Sequence, residues 1–116
     1  KLVKTIMSSS LTRTIAYKMV AGFAKDELFS GVTTIRTVGG LGNFDTRLRD
    51  EIESGTKLGP RILAANQGIS VPGGHMAGSV AVAASTIPDA LKQLEKAKQE
   101  KVDLIKLMIT GGVLFC

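Results

Sequence analysis

The regular alternation of helical and extended segments constrains the fold of this chain most strongly. Residues 32–38 form a run rich in β-branched side chains, which favours extended backbone. Residues 61–66 are predicted as a second strand, and residues 103–110 as a strongly apolar third strand. Each follows a segment with helical periodicity. The order helix, strand, helix, strand, helix, strand predicts an α/β fold, with a parallel sheet of about three strands and right-handed crossovers. We find no internal boundary, so residues 1–116 are predicted to form a single domain.

Each predicted helix has apolar residues that recur at helical spacing. The first helix spans Ser10 to Phe29 and ends before Gly31, which is suited to a left-handed turn. The second spans residues 45–54, and the third spans residues 87–101 with Thr86 as its predicted cap. The residues that share a face are Leu11, Ile15, Met19 and Phe23 in the first helix, Leu48 and Ile52 in the second, and Ile87, Leu91, Leu94 and Lys98 in the third.

The segments after the predicted strands favour a barrel over an open sheet. Gly39-Gly40 and Gly111-Gly112 each follow a strand, and no dinucleotide-binding glycine fingerprint opens a helix. A loop at residues 67–84 is long enough to suggest a functional role. Barrel enzymes place their chemistry at the C-terminal ends of the strands. Asn66 and Thr110, at two such ends, are therefore candidate polar groups of a site, and the glycine pairs are either ligand-approach points or ordinary turns.

Charge and composition exclude several classes of partner. The net charge is +5, but basic residues are spread along the chain and mixed with acidic ones, and aromatic residues make up only 4%. We therefore expect no nucleic-acid partner. No apolar run is long enough to span a membrane, and no signal peptide is recognisable, so we expect no membrane partner. The single cysteine, Cys116, fits a reducing compartment, and the expected location is cytoplasmic.

Lys106 is the residue that departs most from its surroundings. It lies between Ile105 and Leu107 in the most apolar predicted strand, and strand alternation places it on one face with Met108 and Thr110. The aliphatic face suits a helix layer, which directs Lys106 toward a barrel interior. A buried lysine amine can form a Schiff base, act as a base or take up carbon dioxide as a metal-binding carbamate. Alternatively, it is a structural lysine that reaches solvent or pairs with an acid.

His75 is the chain's single histidine and lies in the glycine-rich segment Pro72-Gly73-Gly74-His75. It is either an exposed structural residue or a catalytic residue that contacts substrate, since histidine titrates near neutral pH. A zinc site needs three or four protein ligands, typically His, Cys or carboxylates. One histidine and one terminal cysteine do not supply them, so we expect no tightly bound metal in this chain alone.

Four segments, in order, resemble the amidohydrolase superfamily, in its branch related to imidazolonepropionase and the Xaa-Pro (prolidase-like) dipeptidases. Residues 31–40 (Gly-Val-Thr-Thr-Ile-Arg-Thr-Val-Gly-Gly) resemble the family's second strand, and residues 59–64 resemble its third. Residues 72–75 resemble the Gly-Gly-His loop that follows, and residues 105–113 resemble the fourth strand. The four segments cover most of the chain beyond Ser10.

The resemblance implies a partial (β/α)8 TIM barrel that covers about strands 2 to 4 of an enzyme that hydrolyses C–N bonds in amides, peptides or cyclic imides. It implies one or two divalent metals, usually zinc, and a small-molecule or dipeptide substrate. It also implies that Lys106, as a carbamate, is a metal ligand and that His75 lies near the substrate as a catalytic residue.

Three positions depart from the family pattern. The family's His-x-His pair is not found in residues 1–7, Arg36-Thr37 stands where the family has Arg-Asp, and Met76-Ala77 follows His75 in place of Gly-Asp. The leading hypothesis is therefore a fragment of a metal-dependent amidohydrolase that is inactive alone. The alternative is a non-enzymatic, truncated α/β domain that associates with itself through exposed strand edges.

Overall fold

The structure, a computed structural model, describes residues 8–109. The predicted α/β architecture is confirmed, and every strand pairing within the described residues is parallel. The helices are α1 (Ser10–Phe29), α2 (Phe44–Glu53) and α3 (Ile87–Gln99). The strands are β1 (Thr34–Arg36), β2 (Arg61–Leu63), β3 (Gly68–Ser70), β4 (Ala81–Ala83) and β5 (Leu107–Met108).

The strands form two small sheets that are joined through the segment between β2 and β3. β1 pairs with β2, and β3 lies between β4 and β5. Residues 64–67 bend at Asn66, whose φ is 55°. Their backbone is nevertheless hydrogen-bonded to neighbouring segments on both sides. Asp103 N donates to Ala64 O at 2.8 Å, and Gly40 N donates to Asn66 O at 2.8 Å. Residues 64–67 are therefore hydrogen-bonded both to the segment that follows β1 and to the segment that precedes β5.

The main core lies between α1, α2 and the sheet formed by β1 and β2. Its buried members are Tyr17, Ala24, Phe44, Leu48, Ile62 and Ala64. The Tyr17 and Phe44 rings meet edge to face with centroids 5.2 Å apart. Leu48 is buried and Ile52 packs against the same cluster, so the face that these two residues share in the second helix is the one that meets the core.

The prediction that residues 67–84 form one long loop is wrong. The segment contains β3 and β4, which pair in parallel with Ile69 opposite Val82. Residues 71–80 connect the two strands. Strand pairing provides hydrogen bonds for backbone N–H and C=O groups that would lack partners in a buried loop. The signal is weak in the sequence because each strand has only three residues and glycine and alanine predominate.

The apolar face predicted for the first helix is not the one that meets the core. Tyr17 and Ala24 are buried, whereas Leu11, Ile15, Met19 and Phe23 are all more than half exposed. Ala16, Val20 and Ala21 also pack against the core. The side that packs carries mainly small side chains, which allow the helix to approach the sheet closely.

The helix ends agree with the predicted capping residues. Thr86 Oγ1 accepts a hydrogen bond from Asp89 N, and the Asp89 carboxylate accepts one from Thr86 N, which completes a capping box. Gly31 follows α1 with a φ of 100°, a conformation that glycine adopts readily. None of the helices within residues 8–109 is long and apolar enough to cross a membrane.

Candidate functional site

Lys106 lies immediately before β5, on the face directed away from α3. Its carbonyl accepts a hydrogen bond from Ile69 N at 2.9 Å, and β5 pairs with β3 in the register Ser70 with Met108. On the opposite face, Ile69 and Ile105 line a cleft with residues of α3. The alternation predicted around Lys106 is thus present in the structure.

Gly68 creates the space that the stem of Lys106 occupies. A Cβ at this position would lie 3.2 Å from Lys106 Cγ and 3.3 Å from Met108 Cε. The side chain of Lys106 therefore packs beside the backbone of β3 and is half-buried. Its ammonium has no hydrogen bond or ion pair to any other residue of the described part. The stem of Lys106 is therefore positioned by packing against β3.

Ser70 connects this face to the turn that carries His75. The Ser70 hydroxyl is buried and lacks a hydrogen-bond partner within residues 8–109. A Cβ on Gly74 would lie 2.5 Å from Ser70 Oγ and 2.9 Å from Val71 O, so only glycine fits above the serine. Gly74 N also donates to Val71 O at 2.9 Å. The start of the Gly-Gly-His turn is therefore packed directly on the end of β3.

His75 itself is exposed, and the structure does not bring it into contact with Lys106. Its imidazole makes no hydrogen bond, ion pair or ring contact within the described residues. The two predicted site residues are linked only through β3, with Gly68 beside Lys106 and Ser70 beneath Gly74. The other predicted strand-end group, Thr110, lies outside the described residues, as do Gly111-Gly112 and Cys116.

The prediction that Asn66 faces a site is wrong. Asn66 is 1% exposed and points toward the helices. Its Oδ1 accepts from Thr46 N at 3.0 Å, and its Nδ2 donates to Thr46 Oγ1 at 3.0 Å and to Glu100 Oε2 at 2.9 Å. The left-handed backbone at Asn66 reverses the side-chain alternation that would otherwise continue from β2. Asn66 therefore connects α2 to the end of α3.

Asp45 is a buried carboxylate at the ends of β1 and β2 that the sequence interpretation missed. It is 6% exposed and hydrogen-bonds to the Thr37 hydroxyl and to the Asn66 backbone, while its Oδ2 has no partner within residues 8–109. Burial raises the pKa of Asp45 despite these bonds. A Cβ on Gly40 would collide with this carboxylate. The signal that could have revealed it is Gly-Gly followed by Asp at the start of a helix.

The described residues do not form a metal site by themselves. No group of three or more His, Cys, Asp or Glu side chains lies close enough within residues 8–109 to hold a metal ion. Asp45 is buried and hydrogen-bonded to Thr37 and to the Asn66 backbone, and His75 lies in an exposed turn. Lys106, the ligand predicted from the sequence, lies on the face of the sheet that is directed away from α3. The chain thus provides one candidate ligand, which needs partners from elsewhere.

Solved structures similar to this chain share its fold over most of its length. A protein described as "putative prolidase" from Bifidobacterium longum is 42% identical, with a TM-score of 0.67, and the match covers 78% of this chain and 22% of that one. An uncharacterized protein is 25% identical, with a TM-score of 0.77, and the match covers 86% and 27% of the two chains. An amidohydrolase is 23% identical, with a TM-score of 0.78, and the match covers 97% and 30%.

These matches show that the chain has the fold of part of a TIM barrel. It spans less than a third of the length of each of the three structures. No protein-family model matches the chain, and no curated protein matches it.

Proposed function

We propose that this chain is a segment of a metal-dependent amidohydrolase that cleaves C–N bonds, in the prolidase-related branch, and that the segment alone is inactive. The 42% identity to a putative prolidase across most of the chain supports the branch. The observation that carries the proposal is the position of Lys106. Its stem packs against Gly68 on the face away from α3, which is the interior face in a barrel whose helices lie outside.

In the proposal, Lys106 holds a divalent metal, zinc by preference, as its carbamate. An ammonium without a protein partner would be costly inside a barrel, whereas carbamylation converts it to an anionic oxygen ligand. A zinc ion in such a site would polarise the scissile carbonyl and activate a water molecule. The remaining ligands would come from strands that residues 8–109 do not include.

His75 is proposed to contact the substrate. It follows a turn whose start is fixed on β3 through Ser70 and Gly74, at the C-terminal end of the strand where barrel enzymes bind substrate. An imidazole there can donate a hydrogen bond to, or exchange a proton with, a dipeptide or another small amide. The Gly73-Gly74 pair allows the turn to bend sharply, and Gly73 has a φ of 71°.

A chimera tests these roles in a complete barrel. The matching segment of the Bifidobacterium longum protein is replaced by this chain, and hydrolysis of Xaa-Pro dipeptides and bound zinc are measured beside the unaltered host. If the proposal holds, the chimera binds zinc and turns over substrate. Lys106→Ala and Lys106→Arg should each lower kcat/KM by at least a hundredfold, because neither forms a carbamate. A chimera that folds and retains activity with Lys106→Arg would exclude the metal role.

Two further variants separate the residues. His75→Asn should raise KM or lower kcat while zinc content stays unchanged, because the residue is not proposed as a ligand. Lys92→Arg, on exposed α3, is the matched control for Lys106→Arg and should leave turnover unchanged. Partial recovery of Lys106→Ala activity by short-chain carboxylic acids would support the carbamate, since such acids supply the missing oxygen ligand.

The isolated 116-residue chain is expected to bind no stoichiometric zinc and to hydrolyse no dipeptide. Two tightly bound zinc ions per chain, together with turnover, would overturn the inactivity part of the proposal. The alternative, a non-enzymatic domain that associates with itself, is favoured by exposed apolar residues in β5 and immediately after it. Leu107 is 54% exposed and Ile109 is 82% exposed. Light scattering that shows a monomer at all concentrations would exclude that alternative.

A further inference from the structure

The segment that joins β3 to β4 is anchored at both ends. We call residues 71–80 the His75 connection. At its start, Gly74 is buried on the end of β3, where only glycine fits. At its end, Val80 O accepts a hydrogen bond from the first amide of β3 at 2.9 Å, and a Cβ on Gly39 would lie 3.6 Å from Val80 Cγ2. The His75 connection therefore packs against β3 and against the turn that follows β1.

Met76, the residue after His75, has a backbone conformation that is uncommon outside glycine. Its φ is 59°, in the left-handed region where the Cβ of an ordinary residue lies too close to the following carbonyl oxygen. Such a conformation persists only where surrounding contacts hold it, and it is frequent beside functional groups. The contacts that hold Met76 therefore also determine the path of the backbone next to His75.

The carbonyl of Met76 is held by three donors. Ser79 Oγ donates to Met76 O at 2.7 Å, Ser79 N donates to it at 3.0 Å, and Ala81 N donates to it at 3.2 Å. Ser79 thus supplies two of the three hydrogen bonds. Ala81 is the first residue of β4, so the third bond connects Met76 to the sheet. Together these bonds fix the peptide group that follows Met76.

His75 lies between two peptide groups that are both hydrogen-bonded. The Gly74 carbonyl, which precedes His75, accepts a hydrogen bond from Ala77 N at 3.1 Å. The Met76 carbonyl, one residue beyond His75, accepts the three described above. The imidazole itself makes no hydrogen bond or ion pair within residues 8–109. In this part of the chain, the position of His75 is therefore determined by the backbone on either side of it.

We propose that Ser79 is a positioning residue for His75, which acts through the carbonyl of Met76. This role rests on the substrate contact proposed for His75, and it identifies the group that holds His75 ready for the substrate. A group that is already ordered loses less entropy when the substrate binds. Without the Ser79 hydroxyl, Met76 has less to hold it in the left-handed region, and its return to the right-handed region would redirect the chain at His75.

NMR relaxation of the 116-residue chain tests the positioning without any catalysis. The chain has one histidine, so histidine-selective ¹⁵N labelling reports the His75 amide alone. We expect an order parameter of about 0.85 in the wild type and below about 0.6 in Ser79→Ala, with unchanged circular dichroism. Ser79→Thr keeps a hydroxyl and should restore the wild-type value. The same order parameter in Ser79→Ala as in the wild type would overturn the proposal.

Ser30→Ala is the matched control. Ser30 Oγ donates to Glu27 O at 2.7 Å, with the same length and the same separation in sequence as the Ser79 bond, but at the end of α1. Its loss should leave the order parameter of His75 unchanged. If Ser30→Ala mobilised His75 as much as Ser79→Ala does, the effect would be a general loosening of the chain, and the positioning role would be wrong.

Met76→Gly tests whether Ser79 acts through the backbone of residue 76. Glycine adopts a positive φ without the steric penalty, so the hydroxyl of Ser79 should matter less beside it. In the chimera with the Bifidobacterium longum protein, Ser79→Ala should lower kcat/KM by about fivefold or more when residue 76 is methionine, and by less than about twofold when it is glycine. Equal losses in the two backgrounds would contradict the proposed route.

A double variant with His75→Asn separates this proposal from the proposed function. In the same chimera, Ser79→Ala should leave zinc content unchanged and cause no further loss of kcat/KM once His75 is replaced, because both changes remove the same contact. A further loss of the same size would overturn the positioning role. If His75→Asn alone left turnover unchanged, the substrate contact would be wrong, and the order parameter of the 116-residue chain would still decide whether Ser79 positions His75.

Discussion

Arg49 in α2 and Asp103, three residues before Lys106, form a 2.8 Å hydrogen-bonded ion pair that joins the helix layer to the sheet. The same Asp103 oxygen accepts a hydrogen bond from Ala64 N at 2.8 Å. Arg49 Nη1 also donates to Lys101 O at 2.8 Å. The Ala64 amide and then the Arg49 guanidinium lower the pKa of Asp103. This carboxylate therefore helps to place the segment that carries Lys106 beside β3.

Replacing Asp103 with alanine should destabilise the chain by about 1–3 kcal/mol at neutral pH, because it leaves the Ala64 amide and Arg49 without their acceptor. A lowered folded-state pKa contributes stability that is present above the unfolded value of about 4 and is lost as pH falls through the folded value. The difference in the free energy of unfolding between wild type and Asp103→Ala should therefore become smaller in acid. Urea unfolding at neutral pH and near pH 3 measures this difference. The same difference at both pH values would contradict the lowered pKa of Asp103.

The contribution of Asp45 to stability should depend on pH in the direction opposite to that of Asp103. Its pKa is raised by burial, so ionisation opposes folding, and this penalty is relieved as pH falls through the raised value. Asp45→Asn should therefore be more stable than wild type at neutral pH, and this difference in the free energy of unfolding should disappear in acid. Asp45→Ala, which removes the acceptor of Thr37 and Asn66, should cost about 1–3 kcal/mol. Equal pH profiles for wild type and Asp45→Asn would show that the carboxylate is not buried in solution.

Two glycine-to-alanine substitutions should have opposite effects. Gly40→Ala places a methyl group against the Asp45 carboxylate and should cost about 2 kcal/mol or more. Gly22→Ala meets nothing within the chain and improves helix propensity, so it should stabilise the monomer by up to about 1 kcal/mol. Thermal unfolding in dilute solution compares the two. A destabilising Gly22→Ala would mean that this part of α1 packs against something in the monomer.

Tyr17 should resist ionisation until the chain unfolds. Burial, followed by the 2.7 Å hydrogen bond to Glu51 Oε2, raises the pKa of Tyr17 well above its usual value. The associated stability is present below the unfolded pKa of about 10 and is lost as pH rises beyond it. The chain has one tyrosine and no tryptophan, so ultraviolet absorbance of tyrosinate reports this residue alone. Its appearance should coincide with loss of helical circular dichroism.

Tyr17→Phe tests the hydrogen bond separately. It should cost about 0.5–1.5 kcal/mol, since Glu51 keeps its contacts with Arg47 and Lys57. Phe29→Leu, at an exposed aromatic position at the end of α1, is a suitable control and should change stability by less than about 0.5 kcal/mol. Ionisation of Tyr17 in the folded chain at its ordinary pKa would contradict the buried hydrogen bond.

Local patterns predicted several parts of the structure because the responsible forces act over a few residues. The span of α1, the Thr86 cap and the glycine after α1 follow from helix periodicity and backbone preferences. The face of Lys106 follows from strand alternation. Each of these features depends only on residues that are close together in the sequence.

Long-range contacts decided the parts that local patterns did not predict. Asn66 turns toward α2 and α3 because its partners Thr46 and Glu100 are 20 and 34 residues away. β3 and β4 form strands because β3 pairs with β4 on one side and with β5 on the other. The Asp45 carboxylate is buried only because Thr37 and Asn66 converge on it.

The sequence by itself therefore determined the alternating α/β elements, most helix ends and the side of its strand on which Lys106 lies. Only the tertiary structure decided which face of α1 meets the core. Both faces are apolar, and periodicity cannot rank them. The small side chains at Ala21 and Ala24 let α1 approach the sheet, and this close packing leaves Leu11, Ile15, Met19 and Phe23 exposed on the opposite side.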